Sequence, residues 1–233
     1  MAQPASKKAR TDGAKPTLFS YWRSSCSWRV RIALNLKGVD YDYRAIHLVK
    51  DGGQQLTDEY AAVNPNKVVP ALVTADGALT ISQSGAIIEY IEETCDGPRL
   101  LPASAASRAT VRMICGLVGS DTQPVQNLRV LRKVKALAPG DDEAKAAAMA
   151  GFGNWAISTG FDALEAVLAT TAGVHCVGDE ITMADLYIPP QVYNAGRYKV
   201  DMSKYPNIMR VHDALNELPA FVAARPENQP DAQ

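Results

Sequence analysis

The chain has 233 residues, 47% of them hydrophobic, which is enough to bury one large core or two modest ones. Its 24 Lys and Arg nearly balance 25 Asp and Glu, so no overall field exists to hold nucleic acid or an anionic bilayer. No apolar run approaches the roughly 20 residues of a membrane span, and the N-terminus lacks an apolar stretch of the signal-peptide kind. Cys26, Cys95, Cys115 and Cys176 are scattered without close pairs, as in a reducing, cytoplasmic setting, and His47, His175 and His212 are solitary. Neither a disulfide framework nor a metal site is expected, and the partner should be small.

Residues 1–15 carry Lys7, Lys8, Arg10 and Lys15 among small and polar residues with no periodic apolar face, and read as a disordered tail. Thr17 to Tyr21 is a short β-type run. Ser24-Ser25-Cys26-Ser27 then supplies cap residues before a helix that ends near Gly38. Tyr41 to Leu48 alternates as a second strand, broken by Asp51-Gly52-Gly53. Asn64-Pro65 and Val69-Pro70 lead into Ala71-Leu72-Val73-Thr74, and Asp76-Gly77 turns the chain into Leu79-Thr80-Ile81, an antiparallel hairpin. Ser84 can cap the next helix, with Ile87, Ile88 and Ile91 as its apolar stripe and Glu89, Glu92 and Glu93 on its wet side. The order is βαβ followed by ββα, over residues 16–97.

Two prolines and a glycine in Asp96-Gly97-Pro98-Arg99-Leu100-Leu101-Pro102 mark a linker that extends to 106. Residues 107–226 read as all-helical, with long helices over about 107–135 and 142–170, before a tail at 227–233. Thr182 and Asp185 form a capping box, with Ile181 and Leu186 as its staple. The fold class is α+β, with an all-α second domain.

A cap-rich turn after the first strand gathers free backbone N–H groups and the positive end of a helix dipole, where an anion should settle. If that anion is a thiolate, Ser24 or Ser25 can donate to sulfur, with Cys26 beside them as an accessory thiol; the same residues also serve as ordinary caps and packing. A cis Val69–Pro70 bond would expose the Val69 backbone to an extended peptide, and Gln83-Ser84 at a helix start suits a carboxylate. A tripeptide with a thiol in its middle and carboxylates at its ends would engage all three points.

Ser24 to Leu34, with Trp28-Arg29-Val30-Arg31 in its centre, resembles the zeta class of the glutathione transferase superfamily, the maleylacetoacetate isomerases. The likeness continues through Lys50 to Gln55, Asn64-Pro65, Gln83-Ser84, Gln123 to Leu128, and Val177 to Asp185. It implies a thioredoxin-like N-terminal domain and a helical substrate domain, with glutathione as the cofactor and a homodimer as the assembly. It places Ser24, Ser25 and Cys26 near the sulfur, and Gln55, Val69, Gln83 and Ser84 along the peptide. Gln123 and Asn127 would close the site from the helical domain, and Arg197 would hold a carboxylate of a small acidic electrophile.

The implied reaction is cis–trans isomerisation of maleylacetoacetate to fumarylacetoacetate, in tyrosine and phenylalanine breakdown, by reversible thiolate addition. Lowering a thiol pKa from about 8.5 to about 6.5 raises the thiolate fraction at pH 7 only about 25-fold, and reduced basicity removes up to about tenfold of that gain. Orientation and charge stabilisation, expected from Arg197 and the helix N-terminus, must then supply most of any large acceleration. Displacement of halide from α-haloacids suits the same groups, while a non-catalytic glutathione-binding module is the alternative of a different class. Redox exchange through Cys26 is disfavoured because no second cysteine lies two residues away.

Overall fold

A computed structural model describes residues 13–233, so residues 1–12 of the expected tail lie outside the described residues. Strand β1 (Thr17–Ser20) leads through a turn into helix α1 (Ser25–Leu36), and the chain returns as β2 (Asp42–Ala45), parallel to β1. Strands β3 (Ala71–Val73) and β4 (Thr80–Ser82) follow, then α3 (Ser84–Thr94), and the sheet runs in the order β2-β1-β3-β4 with both later pairings antiparallel. A short helix, α2 (Asp58–Val63), capped by the Thr57 side chain, lies between β2 and β3, where the sequence pattern predicts none. β2 is shorter than the alternation suggests because it is an edge strand whose only neighbour, β1, is four residues long. The register sets Leu18 opposite Leu72, and both are buried between the sheet and α1 and α3.

The chain then passes through the Pro- and Gly-containing linker, whose Leu100 and Leu101 N–H groups are both accepted by the Glu92 carboxylate at 3.0 and 3.2 Å. Lys37 pairs with that carboxylate at 2.7 Å, so the end of α1, the last turn of α3 and the linker share one ionic node. Beyond it come α4 (Ala105–Gly116), α5 (Leu128–Leu137), α6 (Asp142–Thr171), α7 (Ile188–Arg197), α8 (Pro206–Asn216) and α9 (Pro219–Ala223). This is the α+β arrangement of a thioredoxin-like domain joined to a helical one. None of the described helices is long and apolar enough to cross a membrane.

The single helix expected over 107–135 is two helices. A π-helical segment, Leu117–Thr122, follows α4, and the chain turns before Asn127 caps α5 by accepting the Arg129 N–H at 3.1 Å. Thr122 donates its hydroxyl to Leu117 O at 2.7 Å, and Pro124 has no N–H to continue the ladder. One core runs through both halves, with Val30, Ile32 and Ile87 packed in the same cluster as Ile114, Phe161 and Leu186. Asp185 closes the capping box from a fully buried position: one oxygen accepts the Thr182 N–H and hydroxyl at 2.7 and 2.9 Å, the other the Cys176 N–H at 2.9 Å.

Candidate active site

The site begins at the turn between β1 and α1. Ser24 takes extended backbone angles, and its Oγ accepts the Ser27 N–H at 3.2 Å. That capping bond uses a lone pair and leaves the hydroxyl proton available, while the N–H groups of Ser25 and Cys26 find no acceptor among the described residues. Donors and helix dipole therefore converge on one point. Ser25 is buried, and Cys26 is half-buried as a free thiol.

Gln83, at φ +73°, starts α3 in a left-handed conformation that side chains rarely adopt. Its side chain does not cap the helix, so the N–H groups of Ser84, Gly85 and Ala86 have no acceptor among the described residues. Between the two helix starts lies Val69, joined to Pro70 by a cis peptide bond and engaged in no backbone hydrogen bond among the described residues. Gln55 is buried with its Oε1 unpartnered, its Nε2 reaching Leu48 O at 3.4 Å.

Three adjoining cavities join these points into a cleft between the domains, and Gln123 and Asn127 line all three. Ser24, Ser25 and Arg197 border the first, Cys26, Gln55 and Val69 the middle one, and Gln83 and Ser84 the third. The structure thus brings together every residue named from the sequence. Gln123 and Asn127 reach the cleft because the π segment and the following turn interrupt the helical ladder at this point.

The sequence reading missed the cleft's charge. Arg23, Arg29, Lys67, Arg129, Arg132 and Arg197 line it, and among the described residues no Asp or Glu does, in a chain whose net charge is −1. Arg23 and Arg197 face one cavity from opposite domains, Arg23 over the Trp22 ring at 5.2 Å and Arg197 over the Tyr198 ring at 5.7 Å. Apart from Arg197, which the family resemblance named, these cations are scattered along the sequence without a local signal; only folding gathers them. Such a cleft concentrates small anions. Orphaned donors at two helix starts, an unpaired backbone at Val69 and a buried, unpartnered Gln55 oxygen fit an extended peptide carrying a carboxylate and a thiol.

Residues 23–94 match the family model for the glutathione S-transferase N-terminal domain, and residues 131–224 the model for the C-terminal domain. The chain is 53% identical over 217 residues to maleylacetoacetate isomerase of Rattus norvegicus, covering 93% of this chain and 95% of that protein. It is similar to a holo structure of maleylpyruvate isomerase, described as a bacterial glutathione S-transferase of the zeta class, with TM-score 0.86 and 45% identity over 93% of this chain and 100% of that one. It is similar as well to a maleylacetoacetate isomerase of Anaeromyxobacter dehalogenans solved with glutathione in its active site, with TM-score 0.83 and 41% identity over 94% and 98% of the two chains. With both halves of the fold matched in order along one chain, the protein belongs to the glutathione S-transferase family.

Proposed function

We propose that the protein is a glutathione-dependent maleylacetoacetate isomerase, acting in the catabolism of tyrosine and phenylalanine. The observation that carries this reading is a cleft lined, among the described residues, by six cationic side chains and no carboxylate, and bordered by two helix N-termini and the Val69 backbone. The names of relatives at about half identity support it.

Bound glutathione supplies a nucleophilic sulfur for reversible addition to the conjugated double bond. Ser24, with its proton free, donates toward that sulfur, and the Ser25 and Cys26 N–H groups add the positive end of α1. Gln55, Val69, Gln83 and Ser84 hold the peptide, and Gln123 and Asn127 cover it from the helical domain. A substrate with a carboxylate at each end fits between Arg23 and Arg197, which orient it and draw negative charge toward the first cavity. Residues 16–97 hold glutathione in this reading and 107–226 supply most of the substrate wall; a cytoplasmic homodimer is part of the proposal.

The test is isomerisation of maleylacetoacetate followed with and without glutathione. Strict dependence on the tripeptide is expected; tight binding without turnover on any electrophile would favour a binding module instead. Maleylpyruvate is the second substrate to assay, because relatives of that name are 46% and 45% identical. Chloroacetates, with one carboxylate, test whether α-haloacids are also turned over.

A further inference from the structure

Helix α1 buries two arginines two residues apart, Arg31 at 0% and Arg29 at 1% exposure. Their surroundings differ. Arg31 donates from Nε and Nη2 to Ala224 O at 3.1 and 2.9 Å, from Nη2 also to Trp22 O at 2.9 Å, and from Nη1 to Ser20 Oγ and Tyr21 O at 3.2 and 3.4 Å. Its role is structural: it ties β1, α1 and the C-terminal segment together.

Among the described residues Arg29 has one long bond, from Nη1 to Ser84 Oγ at 3.4 Å, while its Nε and Nη2 have no partner. No carboxylate lies within ion-pair distance of it among the described residues. The guanidinium rests on the Tyr187 ring, 4.1 Å from its centroid, and borders the third cavity with Gln83, Ser84 and Gly119. A side chain at position 119 would crowd this arrangement, since a Cβ there would lie 3.1 Å from Tyr187 Cε1 and 3.7 Å from Arg29 Nη1. A buried guanidinium without a counter-charge is unfavourable, and the aromatic face offsets only part of the cost.

We propose that Arg29 is a positioning residue for a terminal carboxylate of glutathione, acting through Ser84. A guanidinium has five donors and no acceptor, so Ser84 Oγ must accept from it, which leaves the Ser84 proton to donate to another group, such as a ligand in the cavity that Ser84 lines. That proton joins the N–H groups of Ser84, Gly85 and Ala86, which have no acceptor among the described residues, and the ligand's carboxylate supplies the counter-charge that no described residue does. The inference rests on the glutathione reading above.

The experiment measures the Kd of glutathione and of two analogues, one lacking the γ-glutamyl α-carboxylate and one with the glycine carboxylate replaced by an amide, for wild type, Arg29→Met and Ser84→Ala. Each variant's fold is checked by circular dichroism. Arg29→Met is expected to weaken glutathione about 10- to 100-fold, the loss of a charge-assisted hydrogen bond, while leaving one analogue's Kd unchanged, which identifies the carboxylate engaged. A merely structural role would weaken all three ligands alike, and that result would overturn the proposal. Ser84→Ala removes the relay while keeping the Arg29 guanidinium, though without its hydrogen-bond acceptor, so it should lose the same discrimination; retention of the full wild-type preference for the intact tripeptide overturns the proposal even where Arg29→Met does not fold. A wild-type protein that binds no glutathione would sink the functional reading itself, whereas wild-type binding with no carboxylate coupled to Arg29 sinks only this inference.

Discussion

Ser24 is given two tasks that a single substitution can separate. As the α1 cap it accepts the Ser27 N–H, and in the proposed reaction it donates its proton toward sulfur. Ser24→Ala is expected to cost about 1 kcal/mol of stability through the lost cap, measured by urea unfolding, and to lower kcat/KM with glutathione by about 100-fold. Ser25→Ala, whose hydroxyl makes no hydrogen bond among the described residues, should show the smaller stability change; if it shows the larger fall in kcat/KM, the sulfur faces Ser25 instead. Arg197→Ala and Arg23→Ala should each raise KM for a dicarboxylate about tenfold or more with the Kd of glutathione unchanged, because both border only the first cavity. The serines were legible from sequence because cap chemistry is local. Arg29 and Arg31 were not: spacing along α1 does not distinguish a wet arginine from one beneath 1% or 0% exposure.

At the level of elements, the break after α4 decides whether Gln123 and Asn127 can reach the cleft. A continuous helix over 107–135 would carry Gln123 and Asn127 onward along its own axis, whereas the π segment and turn set both into the cavity wall. Composition suggested the long helix, since Ala, Leu and Lys favour it; the packing of α6 against the segment favours the break. Gly160 of α6 lies against the Thr122 side chain, inside van der Waals contact for any added Cβ. Gly160→Ala should therefore displace Thr122, whose hydroxyl holds Leu117 O, and weaken glutathione binding measurably by calorimetry although residue 160 borders none of the three cavities.

For the molecule as a whole, burial of phenols and thiols sets a response to alkali. Burial raises the Tyr60 hydroxyl from 10.0 to about 12 and the Cys115 thiol from 9.0 to about 12, and pushes Tyr43 and Tyr187 upward as well. Above pH 9 the unfolded chain loses these protons while the folded one retains them, so stability should fall between pH 9 and 12, by up to about 1.4 kcal/mol per pH unit for each group. Arg31, lowered by burial to about 10, opposes the trend from that pH upward, because its folded form sheds a proton that the unfolded form still holds. Urea midpoints from pH 8 to 11 check the sign, and a flat profile would refute it. The C-terminal segment joins the same assembly: Asp231 accepts the Trp22 N–H at 3.1 Å and the Tyr43 hydroxyl at 2.6 Å, beside the turn that leads into α1. Deleting residues 229–233 should lower the melting temperature by several degrees, read by calorimetry.

The sequence alone determined what depends on neighbours in the chain: the order of the strands, the cap at Ser24, the capping box at Thr182 and Asp185, and a motif run long enough to reveal its kinship, whereas Ser84, expected to cap α3, is its first helical residue and no described side chain caps that helix. Only the tertiary structure decided what depends on residues far apart in the chain. It gathered six cations into one cleft of a nearly neutral protein, buried Arg29 with no counter-charge among the described residues while saturating Arg31, and broke one helix to bring Gln123 and Asn127 inward. Capping and turn formation are local energies readable from a few residues, whereas desolvation and the summed field belong to the packed arrangement and have no address in the chain.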